Sequence, residues 1–158
     1  MSAYITIYIQ SVEGGPYLEL DSFGRSSTEF GLLDNVAVYG KTIPFTHDDL
    51  AALRRQCDDD IDHQKEMIAR EKSDIEFLNS LKVDSETLED IMQRLWDSRE
   101  SIRSFEEEIE TLEYFKMELT FLMNVIASQE YNDHKAQLFL SYEHDPNYDE
   151  EVKEFMSR

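Results

Sequence analysis

Leu88-Glu89-Asp90-Ile91-Met92-Gln93-Arg94-Leu95 opens a heptad seam that runs on through Ser98, Ile102, Phe105, Ile109, Leu112, Lys116, Leu119 and Met123 to Ile126. Apolar residues stepping by alternate threes and fours, with charged residues on the other faces, predict one long helix burying a narrow stripe against another helix. Only Ser98 and Lys116 interrupt the seam. A partner lies upstream. Thr46-His47-Asp48-Asp49 matches a capping box, and the helix it opens carries Leu50, Leu53, Cys57, Ile61, Ile68, Ile75, Leu78 and Leu81 toward one side. Polar Gln64 and Glu71 fill seam positions between them. Lys82-Val83-Asp84-Ser85 is a short polar link with Asp84 or Ser85 as the next N-cap, and so short a link forces the helices antiparallel. Residues 47–129 therefore read as a helical hairpin folded about Val83, with helices on the order of 50 Å and 70 Å long.

Working outward, Ile5, Ile7 and Ile9 alternate with Tyr4, Thr6 and Tyr8 as a strand. Glu13-Gly14-Gly15-Pro16 supplies a turn and Tyr17 to Leu20 the returning strand of a hairpin. Glu29 to Leu33 reads as a short helix or strand, and Val36 to Tyr39 as a further strand. Past the start of the first helix, Tyr114, Phe115, Met117, Phe121, Leu122 and Val125 make the second helix apolar on most sides, which calls for enclosure. The N-terminal sheet and an alternating segment from Ala136 to Tyr142 are available to enclose it. The tail after Asp145-Pro146 either adds a short terminal helix around Glu150 to Phe155 or stays frayed. The fold class is α+β: a small antiparallel sheet packed on the end of a long antiparallel, coiled-coil-like helical hairpin. Residues 1–46 form the β-rich part of the base, 47–129 the hairpin and 130–158 the closing strand and tail, within a single domain.

The chain has 158 residues, with 35 acidic against 15 basic side chains and a formal net charge of −20. That charge repels nucleic acid and anionic lipid and favours basic proteins or cations as partners. The single Cys57 rules out an intramolecular disulfide and multi-cysteine zinc schemes, and a buried seam residue is its simplest role. The start, MSAYITIYIQS, lacks both a basic n-region and a continuous apolar run, so a soluble cytoplasmic protein is expected.

Folding about Val83 sets Asp58-Asp59-Asp60 level with Glu106-Glu107-Glu108, and with Asp62 and Glu110 they form an acidic belt. These eight residues and Trp96, a large aromatic near the hairpin tip, are the candidate partner-binding residues. Asp60 with His63, and Glu107 with Glu110, have the helical spacing of bundle metal sites, but such sites draw on four helices. No metal or cofactor is expected. Gly40-Lys41-Thr42 fails as a phosphate loop because Asn35 stands where glycine is required and Pro44 follows where a helix should start. No catalytic constellation is present in the sequence, and no enzymatic activity is expected. Two helices with one narrow stripe each make a thin core, so a homodimer or higher homo-oligomer is expected.

The organisation as a whole, a short sheet, an acidic helical hairpin and a closing strand, resembles uncharacterised small acidic proteins of bacteriophages. The resemblance rests on organisation, carries no functional residue over, and implies a non-enzymatic effector that binds or blocks a host component, located in the host cytoplasm. Three functions follow. The first is an acidic interaction protein or inhibitor that docks on a basic protein surface, in the limit by nucleic-acid mimicry. The second is a structural coiled-coil assembly module. The third is a small-molecule protein sequestering a phosphorylated signal, with Arg99 and Arg103 one helical turn apart as ligands.

Overall fold

The computed structural model describes residues 3–82, 84–131 and 136–144. It is an α+β structure in which two long helices pack against each other and against a four-stranded antiparallel sheet. Elements follow the order β1 (Ala3–Ser11), β2 (Leu18–Gly24), α1 (Thr28–Leu33), β3 (Thr42–Phe45), α2 (His47–Ser80), α3 (Leu88–Tyr131) and β4 (Ala136–His144). The chain divides into two compact units, Met1–Gln56 with Phe115–Arg158, and Cys57–Tyr114. Both long helices contribute residues to each unit. Glu150 to Phe155, read as a short terminal helix or a frayed tail, lie outside the described residues.

The first unit is built on the sheet, whose order is β2-β1-β4-β3. Sequence-distant β1 and β4 pair along their whole length, Ala3 opposite His144 through Ser11 opposite Ala136. Alternation puts Ile5 and Ile7 on one face, and both are fully buried together with Leu138, Leu140 and Phe45. The opposite face carries a row of hydroxyls, one from each strand: Ser22 and Thr6 meet at 2.9 Å, and Thr42 donates to Ser141 at 3.1 Å. Thr6 and Ser141 are the central pair of that row and are themselves buried, which the mutual hydrogen bonds make tolerable. The turn before β2 needs Gly14 and Gly15, whose φ values of 101° and 106° are disfavoured for side-chain-bearing residues.

Local signals hold the helix starts. Thr46 Oγ1 accepts from the Asp49 amide at 3.2 Å while Asp49 Oδ2 accepts from the Thr46 amide at 3.0 Å, the reciprocal pair of a capping box. Ser27 caps α1 by accepting from the Phe30 amide. Asp84 accepts from both the amide and the hydroxyl of Thr87 in the turn that leads into α3, and these bonds hold its carboxyl below the usual range.

Two expectations are corrected. Val36 to Tyr39 is not a strand: the Val36 and Ala37 amides bond to the Leu33 carbonyl and close the end of α1, leaving only an isolated bridge from Tyr39 to Tyr142. The fourth strand is β3, where Pro44 is tolerated because β3 lies at the sheet edge. The second correction concerns enclosure. Leu112, Phe115, Leu119 and Leu122 are buried, but Tyr114, Met117 and Phe121 remain 74%, 69% and 65% exposed. One sheet covers one side of a helix, and the outer side keeps its apolar residues in water. The buried stripe has also stepped off the heptad, taking Phe115 and Leu122 in place of Lys116 and Met123. Here α3 packs on the sheet, with Phe115 edge-on against Phe23, so the buried face is set by the sheet and not by the seam toward α2.

In the second unit, Cys57, Ile61, Ile68 and Leu78 of α2 are buried, as is Ser98 of α3. Gln64, Glu71 and Ile75 complete the α2 seam at partial burial. Cys57 is fully covered, in keeping with its seam position.

Candidate functional site

The second unit carries nineteen acidic and seven basic side chains between Cys57 and Tyr114. Of the belt residues, Asp58, Asp59, Asp62, Glu106, Glu107 and Glu110 are exposed, and Asp60 and Glu108 are partly covered. The helix geometry explains this split. Three consecutive positions on a helix span about 200° of its circumference, so one member of each triplet turns toward the partner helix and the others face water. Arg103 Nε pairs with Glu107 Oε1 at 3.3 Å, an exposed contact between residues one turn apart that contributes a few tenths of a kcal/mol.

The hairpin register refines the height of the two triplets. A groove in this unit is lined by residues 71–78 of α2 and 94–101 of α3, so the pairing is centred near Glu86 and not Val83. Extended along both helices, that register offsets Asp58-Asp59-Asp60 from Glu106-Glu107-Glu108 by one to two helical turns. The acidic surface is thereby a longer strip than a narrow belt. Trp96 is 59% exposed and belongs to an α3 stripe with Leu88 and Met92, spaced by four residues and likewise exposed. Arg99 and Arg103 continue the same stripe, with Arg103 turned to Glu107.

Among the described residues, no group of three or more histidine, cysteine, aspartate or glutamate side chains has the geometry to hold a metal ion. His63 is exposed beside Asp60 and does not join a cluster. No helix is long and apolar enough to cross a membrane among those residues. Gly40, near the end of the rejected phosphate loop, sits at a φ of 73° in the turn before β3.

Two arrangements escaped the sequence reading. In the first unit, Glu118 of α3 lies against Asp21 of β2, with Glu29 of α1 nearby. Asp21 pairs with Ile7 and so shares the face of Ile5 and Phe23, the last of which stacks edge-on against Phe115 of α3. Partial burial, a hydrogen bond to Asp21 and the charges of Asp21 and Glu29 push the Glu118 carboxyl up to about 8. At neutral pH it holds its proton and donates it to Asp21. Arg54, also in this unit, donates from Nη1 to the Met123 sulfur at 3.6 Å, while its buried Nε has no hydrogen-bond partner. The other missed arrangement is the groove of the second unit. Its signal was present as two polar interruptions, Glu71 in one seam and Ser98 in the other, which lie within about one helical turn of each other in height. No family model, curated protein or solved structure matches this chain.

Proposed function

We propose that this protein is a non-enzymatic acidic interaction protein that binds a basic surface of a partner protein, acting as an inhibitor or effector. The observation that carries the reading is the nineteen-to-seven excess of carboxylates on the second unit, most of the belt residues being exposed on two adjacent helices. Like charges gathered on one surface repel each other and lower the stability of the fold, and a cationic partner relieves that repulsion on binding. Charge of this density steers a basic partner to the surface and suppresses anionic competitors, including nucleic acid. Mimicry of a phosphate backbone is the limiting form of the same reading.

The test compares two variants of equal charge. D58N/D59N/E106Q/E107Q neutralises four exposed belt residues, while E13Q/E19Q/D34N/D48N neutralises four exposed carboxylates of the first unit. Capture of basic proteins from the native host extract, identified by mass spectrometry, falls for the first variant and persists for the second. Equal loss in both would mean that only overall charge matters, and persistence in both would remove the belt from function.

A second reading, self-association as an assembly module, is favoured by the exposed Leu88, Met92 and Trp96 stripe. It predicts a mass above the monomer in solution that W96A/M92A lowers to the monomer.

A further inference from the structure

Between α2 and α3 in the second unit lies an open groove of about 470 Å³, within the ~300–1,000 Å³ range of side-chain and small-ligand sites. It exists because two heptad seams are polar within about one helical turn of the same height: Glu71 replaces an apolar residue on one helix and the small Ser98 replaces one on the other. The lining brings three carboxylates, Glu71, Asp74 and Asp97, against one guanidinium, Arg94, with the Phe77 ring as a wall. None of these carboxylates is within ion-pair distance of Arg94. Asp97 accepts one hydrogen bond from Gln93 at 3.0 Å, whereas Glu71 and Asp74 have no hydrogen-bond or ion-pair partner among the described residues.

Ser98 supplies the independent sign of a ligand. It is only 9% exposed, it lines the groove, and its hydroxyl has no hydrogen-bond partner among the described residues. Thr111 and Thr120 on the same helix satisfy their hydroxyls by donating to the carbonyl one turn back, at 3.1 and 2.9 Å. Ser98 does not. A hydroxyl that lines the groove with no protein partner offers a hydrogen bond to a group that enters.

We propose that this groove receives the guanidinium of an arginine side chain presented by the partner protein. The inference rests on the reading of the acidic hairpin as the contact surface and names the pocket within it. A planar guanidinium offers five N–H donors, enough for Asp74, Asp97 and the Ser98 hydroxyl together, and its face stacks on an aromatic ring such as Phe77. The net charge of the lining selects a cation. Arg94 opposes the entering group, so three carboxylates are shared between two guanidinium ions.

The experiment is a titration of the 15N-labelled full chain, followed by amide shifts, with acetyl-Gly-Arg-Gly-amide. The same peptide carrying citrulline, matched in ionic strength with potassium chloride, is the neutral control, and inorganic phosphate is the anionic one. The arginine peptide is expected to shift the amides around Asp74, Phe77, Ser98 and Ser101 saturably, with a Kd on the order of 1 mM. Citrulline should leave them in place. D74N/D97N should weaken binding at least tenfold and S98A a few-fold, while R94Q should tighten it; unchanged circular dichroism confirms that each variant is folded. Shifts spread over Asp58 to Asp62 and Glu106 to Glu110 without saturation would overturn the proposal. So would groove shifts with phosphate that R94Q abolishes. If the peptide leaves the groove unmoved while belt neutralisation still abolishes capture, the groove fails alone. If it saturates the groove while capture survives belt neutralisation, the groove stands and the broader reading falls.

Discussion

Replacing Glu118 by glutamine should stabilise the protein at neutral pH and leave it unchanged in acid. In the folded state the Glu118 carboxyl is held at about 8 by partial burial, its hydrogen bond to Asp21 and the charges of Asp21 and Glu29, whereas an unfolded chain returns it to about 4.5. Below the unfolded value both states are protonated and no penalty exists. Between the two values the unfolded chain releases the proton and the folded one keeps it, so stability falls as pH rises; above the folded value the loss is complete. At 1.36 kcal/mol per unit the full interval corresponds to roughly 5 kcal/mol, but the group is half exposed, and screening reduces this to about 1–2 kcal/mol. Glutamine keeps a donor toward Asp21 without needing a proton.

The assay is urea unfolding of E118Q and the parent protein, followed by circular dichroism at several values between pH 4 and pH 9. The difference between the two proteins at each pH isolates the effect of the substitution at Glu118. The stability gain should be near zero at pH 4, grow steadily through neutrality and level off above pH 8, with a rise in Tm on the order of 3–6 °C at pH 7. A gain independent of pH, or a loss at pH 7, would refute a protonated Glu118 donating to Asp21.

Other consequences follow from packing and capping. Leu119 is fully buried, so L119A should cost about 2–5 kcal/mol in the same unfolding assay. T46A removes the hydroxyl that accepts from the Asp49 amide and should cost about 1 kcal/mol, with T46S restoring most of it. In the first unit, R54M removes a buried Nε that has no partner while keeping the aliphatic stem. It should leave stability unchanged or raise it by about 1 kcal/mol, as measured by Tm.

What was legible in the sequence is what local chemistry decides. The capping box at Thr46 and Asp49 involves residues three apart, and the heptad seams report a period that no distant contact has to supply. β1 and β4 were readable for the same reason, since strict alternation survives whatever strand lies beside it. β3 was not, because four residues containing a proline carry little pattern and become a strand only through the edge they find on β4. Val36 and Val38 misled because β-branched composition favours strand, while the Leu33 carbonyl claims the amides that a strand would use. The exposure of Tyr114, Met117 and Phe121 shows the converse, that apolar character does not by itself bring cover. Glu118 and Asp21 meet only once the sheet is packed on α3, and nothing local to either residue announces the pair. The groove needs Glu71 and Ser98 to line one space between two helices, which neither seam shows by itself. The acidic strip was readable as charge, and its relation to a partner is a matter for binding.

The most direct test of the central claim is the ionic-strength dependence of affinity for a captured basic protein, measured by calorimetry at about 0.05 M and about 0.5 M salt. Screening lengths shrink from well over 10 Å to about 4 Å across that range. Contact through the acidic strip predicts at least a tenfold weakening in the wild-type protein and a much smaller change in D58N/D59N/E106Q/E107Q. An affinity unchanged between the two salt concentrations would contradict it.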